Sequence, residues 1–521
     1  MSEHRQLLRS ARTISTFTIL SRILGYARDS RVAYLLGTDD SADAFTIAYR
    51  IPNLLRRVVG EGGANAAFIP VFSKYFSEGK KEEAWEFANT LLTLATVVVT
   101  ILTIIGVVFS PVLVRVFATG FAATPGKLEL TAYLNRIMFP YVLFLSLSAV
   151  AMGILNSLHR FAAPAFAPVL LNLSTVAFSF FTGYFSQPAT ALAIGVLVGG
   201  ALQVAVQIPS LLRSGWRLQL IWNLAHPAVR QVGRLLVPLF FAQGIVQINI
   251  LVDLQFASRL GEGGASSLNL ADRVMELVLG GYTVALSTAV LPVLARQAAV
   301  RNIDAMKSTL NLSTRLILFI TIPAMVGLML LRYQIIEVLF QHGSFDARST
   351  ELTARPLFFF ALGLTTISMV KIIVPAFYAM HDTTTPVKVA FISMFLNFGL
   401  NLVFIGPLGN GGPALATSLS AIFDSACLMR IFYGRHGGFG LRDIGRSLGK
   451  FAISAAVMAT VTYFLINVPG FYGGGLLQRV AALAAAIFVA TGTYFATAWL
   501  LRTRELKELW GMYGGTDAER P

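Results

Sequence analysis

The sequence predicts an all-α polytopic membrane protein of 14 transmembrane helices, on the strength of three observations. Only 13% of its 521 residues are charged and 55% are hydrophobic, against roughly 25% charged in an average soluble domain. Apolar runs of about 18 residues or more, enough to cross a hydrocarbon core of roughly 30 Å, recur with short polar breaks as far as Leu501. The first part of the chain also answers the second at a fixed interval: Pro70 in FIPVFSKY and Pro292 in VLPVLARQ are 222 residues apart, as are His159 and His381, and Arg213 and Arg435.

The spans follow in order. Span 1, near 13–36, carries Arg22, Arg28 and Asp29 inside an apolar run; Arg22 and Asp29, seven apart, share a helix face with Gly25 between them. Those charges, and the lack of a small-residue cleavage site after them, make residues 1–30 a retained helix rather than a signal peptide. Span 2, near 44–73, holds Arg56, Arg57 and Glu61 beside Gly60, Gly62 and Gly63, a run of helix breakers suited to a hinge. Spans 3 to 6, near 88–117, 130–156, 163–185 and 189–212, are almost purely apolar. Span 7, near 232–260, has one mid-span acid, Asp253, and span 8, near 266–295, carries Arg273 and Glu276 with Gly280 and Gly281 following. Span 9 lies near 309–331 and span 10, near 355–379, contains Lys371. Span 11, near 386–406, places Asn397 and Asn401 four apart on one face, and span 12, near 412–433, offers Thr417. Spans 13 and 14, near 450–468 and 478–501, fall outside the repeat.

Spans 1–6 and 7–12 therefore read as duplicated six-helix bundles. An even number of helices gives both copies one orientation, so they are parallel repeats about an axis along the membrane normal. The expected division is 1–220 for the N-lobe, 221–440 for the C-lobe, and 441–521 for two extra helices and a tail.

A formal charge of +15 would point to nucleic acid in a soluble protein, but here the basic residues sort by side. Loops on one side hold Arg5, Arg9, Arg12, Lys74, Lys80, Lys81, Arg213, Arg296 and Arg435, while GTDDSAD and PLGNGG face the other way. The positive-inside rule then puts both termini in the cytoplasm and leaves no role for nucleic acid. The single cysteine, Cys427, excludes an intramolecular disulfide. The chain has no P-loop, no H-E-x-x-H and no nucleophile elbow, so neither ATP hydrolysis nor familiar enzyme chemistry is legible and no organic cofactor is expected.

The intramembrane charges carry the functional reading. An arginine at the bilayer centre costs about 2.5–3.5 kcal/mol on insertion scales, so these side chains face water or each other. Arg22, Arg28, Arg56, Arg57 and Arg273 outnumber Asp29, Glu61 and Glu276, which makes a net positive cavity and hence an anion site. Arginine forks match diphosphate oxygens. Asp253, Asn397, Asn401 and Thr417 leave two readings open, interhelical hydrogen bonding and a site for a hard cation such as sodium. His159 and His381 read as turn or capping residues.

SRILGYARDS, ADAFTIAYRIPNLLRR, EGGANAAFIPVF, ADRVMELV and VPAFYAMHDTTTPVKVA, in that order, resemble the MurJ (MviN) family of bacterial lipid II flippases in the multidrug/oligosaccharidyl-lipid/polysaccharide exporter superfamily, over about residues 7–502. The resemblance implies alternating access that moves lipid II, a disaccharide-pentapeptide on undecaprenyl diphosphate, to the periplasmic leaflet of the inner membrane for cell-wall synthesis. It implies substrate contacts by Ser21, Arg22, Arg28, Arg56 and Arg273, supporting acids at Asp43 and Glu276, and a groove on spans 13 and 14 for the polyprenyl tail. It would put a sodium site on Asp253, Asn397, Asn401 and Thr417, with Asn401 standing where an Asp is expected. Implied partners are lipid II, membrane lipids and the cell-wall synthesis machinery; the energy source would be Na⁺, H⁺ or the membrane potential. Other members of the superfamily, a cation-coupled drug or metabolite antiporter or a flippase for a different polyprenyl-linked sugar, are the alternatives.

Overall fold

The computed structural model describes residues 3–56 and 63–514. Arg57, Gly60, Glu61 and Gly62 lie outside the described residues, and Arg56 is described only as the last residue of a helix. The chain runs as α1 (Glu3–Leu36), α2 (Asp40–Arg56), α3 (Gly63–Ser77), α4 (Lys81–Val108), α5 (Ser110–Phe117), α6 (Lys127–Met138), α7 (Tyr141–Ser157), α8 (Ala162–Phe178), α9 (Pro188–Ala205), α10 (Ile208–Leu212), α11 (Pro227–Ser258), α12 (Gly264–Ala299), α13 (Ile303–Phe340), α14 (Ala347–Ala379), α15 (Thr384–Leu408), α16 (Gly411–His436), α17 (Leu441–Ile466), α18 (Leu476–Leu500) and α19 (Arg504–Gly514). The protein is all-helical, and among the described residues ten helical segments are long and apolar enough to cross a membrane. Most described helices fall on the spans read from the sequence and are consistent with 14 crossings, but span 2 includes residues 57–62, outside the described ones, span 3 falls on α4 and α5, and α8 ends at Phe178, short of the 185 read for span 5. Span 4 crosses as α6 and α7, broken at Phe139–Pro140 because Pro140 has no N–H to continue the ladder.

Repetition in the sequence reappears as repetition in backbone geometry. Gly79 and Arg301, His159 and His381, and Gly215 and Gly437 all adopt left-handed φ, between 54° and 90°. At two of these pairs the hydrogen bonds also match: Lys80 N–H to Tyr75 O answers Asn302 N–H to Gln297 O, and Arg160 N–H to Leu155 O answers Asp382 N–H to Phe377 O. These are Schellman ends, in which a left-handed residue lets the next N–H reach back to an orphan carbonyl of the last turn. His159 and His381 are thus turn residues of helix ends.

The chain divides into two compact units: the chain up to Ser266 with His342–Asp346, and Ser267–Gln341 with Ala347 onward. In the first unit, Leu36, Phe45, Leu134, Met138, Tyr141 and Leu192 form one core, and Phe68, Phe72, Phe87, Ile154 and Trp216 another. Lipid tails are as apolar as leucine, so close packing rather than exclusion from water holds such helices together, and small residues matter. Gly199 of α9 lies so near α8 that an added Cβ would come within 2.9 Å of the Leu171 Cα. The segment His342–Asp346 is tied to the end of α1 by the Ser344 N–H to Tyr34 O bond, 2.8 Å. In the second unit, Phe319, Phe377, Phe432, Phe451 and Tyr494 centre a core shared by α13, α14, α16, α17 and α18.

Candidate functional site

Arg28 is the best-defined member of the predicted cation set. Its Nε and Nη2 donate to Asp29 Oδ1 at 2.9 and 2.7 Å, and Nη1 donates to Asn172 Oδ1 at 3.1 Å. The guanidinium also lies 5.8 Å from the Tyr49 ring centroid. Residues of α1, α2 and α8 thus fix one side chain that is only 14% exposed. Three of its five N–H groups are engaged, leaving one on each terminal nitrogen. Paired N–H groups of a guanidinium are the donors that carboxylate and phosphate oxygens accept from.

Asn172 was not legible as a site residue, yet it joins the cluster. It donates from Nδ2 to the Ser21 carbonyl at 2.9 Å while accepting from Arg28. Ser21 and Arg28 are therefore joined through one amide, and Asp29 is held by the same guanidinium. The available signal was a lone amide in the apolar stretch LLNLST, which the same reasoning that singles out intramembrane charges would flag. At Gly25, between Arg22 and Asp29 on α1, an added Cβ would meet Asn172 Nδ2 at 3.5 Å, an ordinary contact. Arg22 is exposed on α1. Gly63 opens α3, next to the undescribed residues 57–62.

Asp43, expected in an outer loop, belongs to the first turn of α2 and is fully buried. It pairs with Lys127 of α6 at 2.8 Å and accepts from Gly263 N–H, Ser266 N–H and Ser266 Oγ at 2.8–2.9 Å. Lys127 also pairs with Asp40 at 2.7 Å. A buried charge so fully surrounded by partners is a structural lock for the ends of α2, α6 and α12.

In the second unit, Arg273 pairs with Glu276 one turn on at 2.8 Å, the two being 38% and 46% exposed. A pair this open is worth little to stability. Asn401 donates to Asn397 Oδ1 at 2.7 Å, and Asn397 donates to Thr417 Oγ1 at 3.4 Å. The Asn401 Oδ1 is buried with no donor among the described residues, an oxygen that suits a hard cation, so Asn397, Asn401 and Thr417 fit that group. Asp253 lies on α11, partly buried.

Residues 32–481 match the family model described as lipid II flippase MurJ. A probable lipid II flippase MurJ of Vibrio cholerae is 35% identical over 517 residues, covering 97% of this chain and 98% of the relative. The lipid II flippase MurJ of Burkholderia cenocepacia is 32% identical, covering 95% and 97%. Among solved structures, lipid II flippase MurJ in an inward closed conformation superposes with a TM-score of 0.79 at 26% identity, covering 94% of this chain and 98% of that one. An inward-facing multidrug resistance MATE family transporter reaches 0.65 at 13% identity, covering 82% and 95%, a likeness of fold alone.

Proposed function

This chain belongs to the lipid II flippase MurJ family, and from that premise we propose how its residues carry lipid II across the membrane. It is a multi-pass membrane transporter and not an enzyme, and its place is in cell-wall biogenesis. Arg28, with its two uncommitted N–H groups, takes the diphosphate, and Arg22 and Arg273 complete the charge balance. Arg56 and Ser21 are assigned supporting contacts with the head. The preset orientation of Arg28 is the observation that carries this reading, because an arginine already fixed by Asp29 and Asn172 loses little rotamer freedom on binding.

The polyprenyl tail is assigned to the outer faces of α17 and α18, where Ile453, Val457, Phe464 and Phe488 are exposed. Alternating access, with the head exposed first to the cytoplasm and then to the periplasm, is the proposed cycle, in the bacterial inner membrane with both termini cytoplasmic. The driving force is assigned to the membrane potential, worth about 2.3 kcal/mol per charge per 100 mV, or to a monovalent cation that Asn397, Asn401 and Thr417 would hold. When bound, that cation would supply charge neutralisation among those oxygens.

The test is to reconstitute Arg22→Ala, Arg28→Ala and Arg273→Ala separately and measure how fast lipid II becomes accessible on the opposite leaflet. Losing a charge-assisted contact of about 1.5–3 kcal/mol slows transport roughly 10- to 100-fold. Folded variants that flip lipid II at the unaltered rate sink the assignment.

A further inference from the structure

α16 carries a partly buried acid that the head-group site does not use. Asp424 is 13 residues from Gly411 and 12 from His436, so it lies roughly 18–20 Å of helix rise from either end, at mid-membrane depth. Its Oδ1 is buried and receives no hydrogen bond from the described residues. One turn earlier on the same face, Ser420 Oγ is also buried without a partner, although the Ser420 carbonyl accepts from Ser393 Oγ of α15 at 3.0 Å.

No cation compensates this carboxyl among the described residues. α16 packs against α14 and α15. The charged groups of α14 are Arg348, Glu351, Arg355 and Lys371, that of α15 is Lys388, and those of α16 itself are Arg430 and Arg435; all are exposed. Arg435 is engaged instead with Asp382 at 2.7 Å. Of the remaining titratable groups, Tyr378 and Tyr433 are exposed, His436 ends the helix two further turns beyond Cys427, and the Cys427 thiol lies one turn from Asp424.

A carboxylate at this depth, with one oxygen buried and undonated and no counter-charge among the described residues, is costly, whereas the neutral acid needs none. We propose that Asp424 is a proton-binding site, taking up a proton while enclosed and releasing it to water when its face becomes hydrated in the transport cycle. On release the carboxyl O–H bond breaks and water accepts the proton. The site binds its proton independently of lipid II, but its coupling to transport rests on the flippase reading above.

Two measurements on the full chain decide it. Infrared difference spectra across a pH titration should show a carboxylic-acid carbonyl band in the native protein that is lost in Asp424→Asn and returns, shifted, in Asp424→Glu. In proteoliposomes containing lipid II, native transport should change several-fold with an imposed pH gradient, and that response should be lost in Asp424→Asn and recovered in Asp424→Glu. An unchanged band in Asp424→Asn, or a native-like gradient response in that variant, overturns the proposal. So does a response to a sodium gradient at equal pH in place of the proton response. Absence of lipid II transport by the native chain would instead count against the flippase reading, with the infrared titration still deciding Asp424.

Discussion

Asn172 bridges the Ser21 carbonyl and the Arg28 guanidinium, so its removal strands a donor and an acceptor together. Asn172→Ala should destabilise the protein by about 1–3 kcal/mol, read as a lower unfolding midpoint in detergent, and an unaltered midpoint would remove its structural role. The sequence pointed to Arg28 and Asp29 because charge in an apolar run is visible without a structure. Their pairing was not visible. Arg22 shares a helical face with Asp29 and was an equal candidate for partner until the Arg28 Nη2–Asp29 distance of 2.7 Å identified Arg28 as one. Lys127, which closes on both Asp40 and Asp43, carries no mark in the sequence that singles it out. Only the fold brings residue 127 to residue 43.

At the scale of single helices, termini and crossings can be tested separately. Asp382 accepts from the Thr385 hydroxyl at 2.6 Å and its N–H at 2.9 Å in the first turn of α15. Those two bonds, then Arg435, lower its carboxyl from 3.8 to about 2. The group is depressed in the fold, so its stabilisation is complete above the unfolded value of 3.8 and disappears as pH falls through about 2. Asp382→Asn should accordingly weaken hydrogen-exchange protection of the first turn of α15 at pH 7, and the difference from the native chain should vanish between pH 4 and 2. A difference that persists at pH 2 would contradict this origin. In α4, a Cβ at Gly106 would stand 1.9 Å from the Phe139 ring. Gly106→Ala should cost about 1–3 kcal/mol by overpacking, and Phe139→Ala in the same chain should recover part of it in thermal unfolding.

At the scale of the whole molecule, the C-terminal helix is tied to the second unit rather than trailing from it. Arg315 of α13 pairs with Glu505 at 2.5 Å and Glu508 at 3.1 Å, and Ser447 of α17 donates to Glu505 at 2.7 Å. Glu505 is 1% exposed and Arg315 11% exposed. Breaking such a buried pair costs about 3–5 kcal/mol, so Glu505→Ala should raise proteolytic cutting within 504–514 roughly 100-fold or more, and native-like resistance would refute the clamp. The sequence by itself determined the helical class, the places where the spans fall and the internal duplication. Each of these depends on hydropathy or on periodic residue types, which are local properties of the chain. The three-dimensional fold alone decided which amide holds Arg28, which lysine closes on Asp43 and that Asp424 Oδ1 receives no donor among the described residues. Those depend on packing between helices far apart in sequence, and neither hydropathy nor spacing encodes which side chains that packing brings within 3 Å.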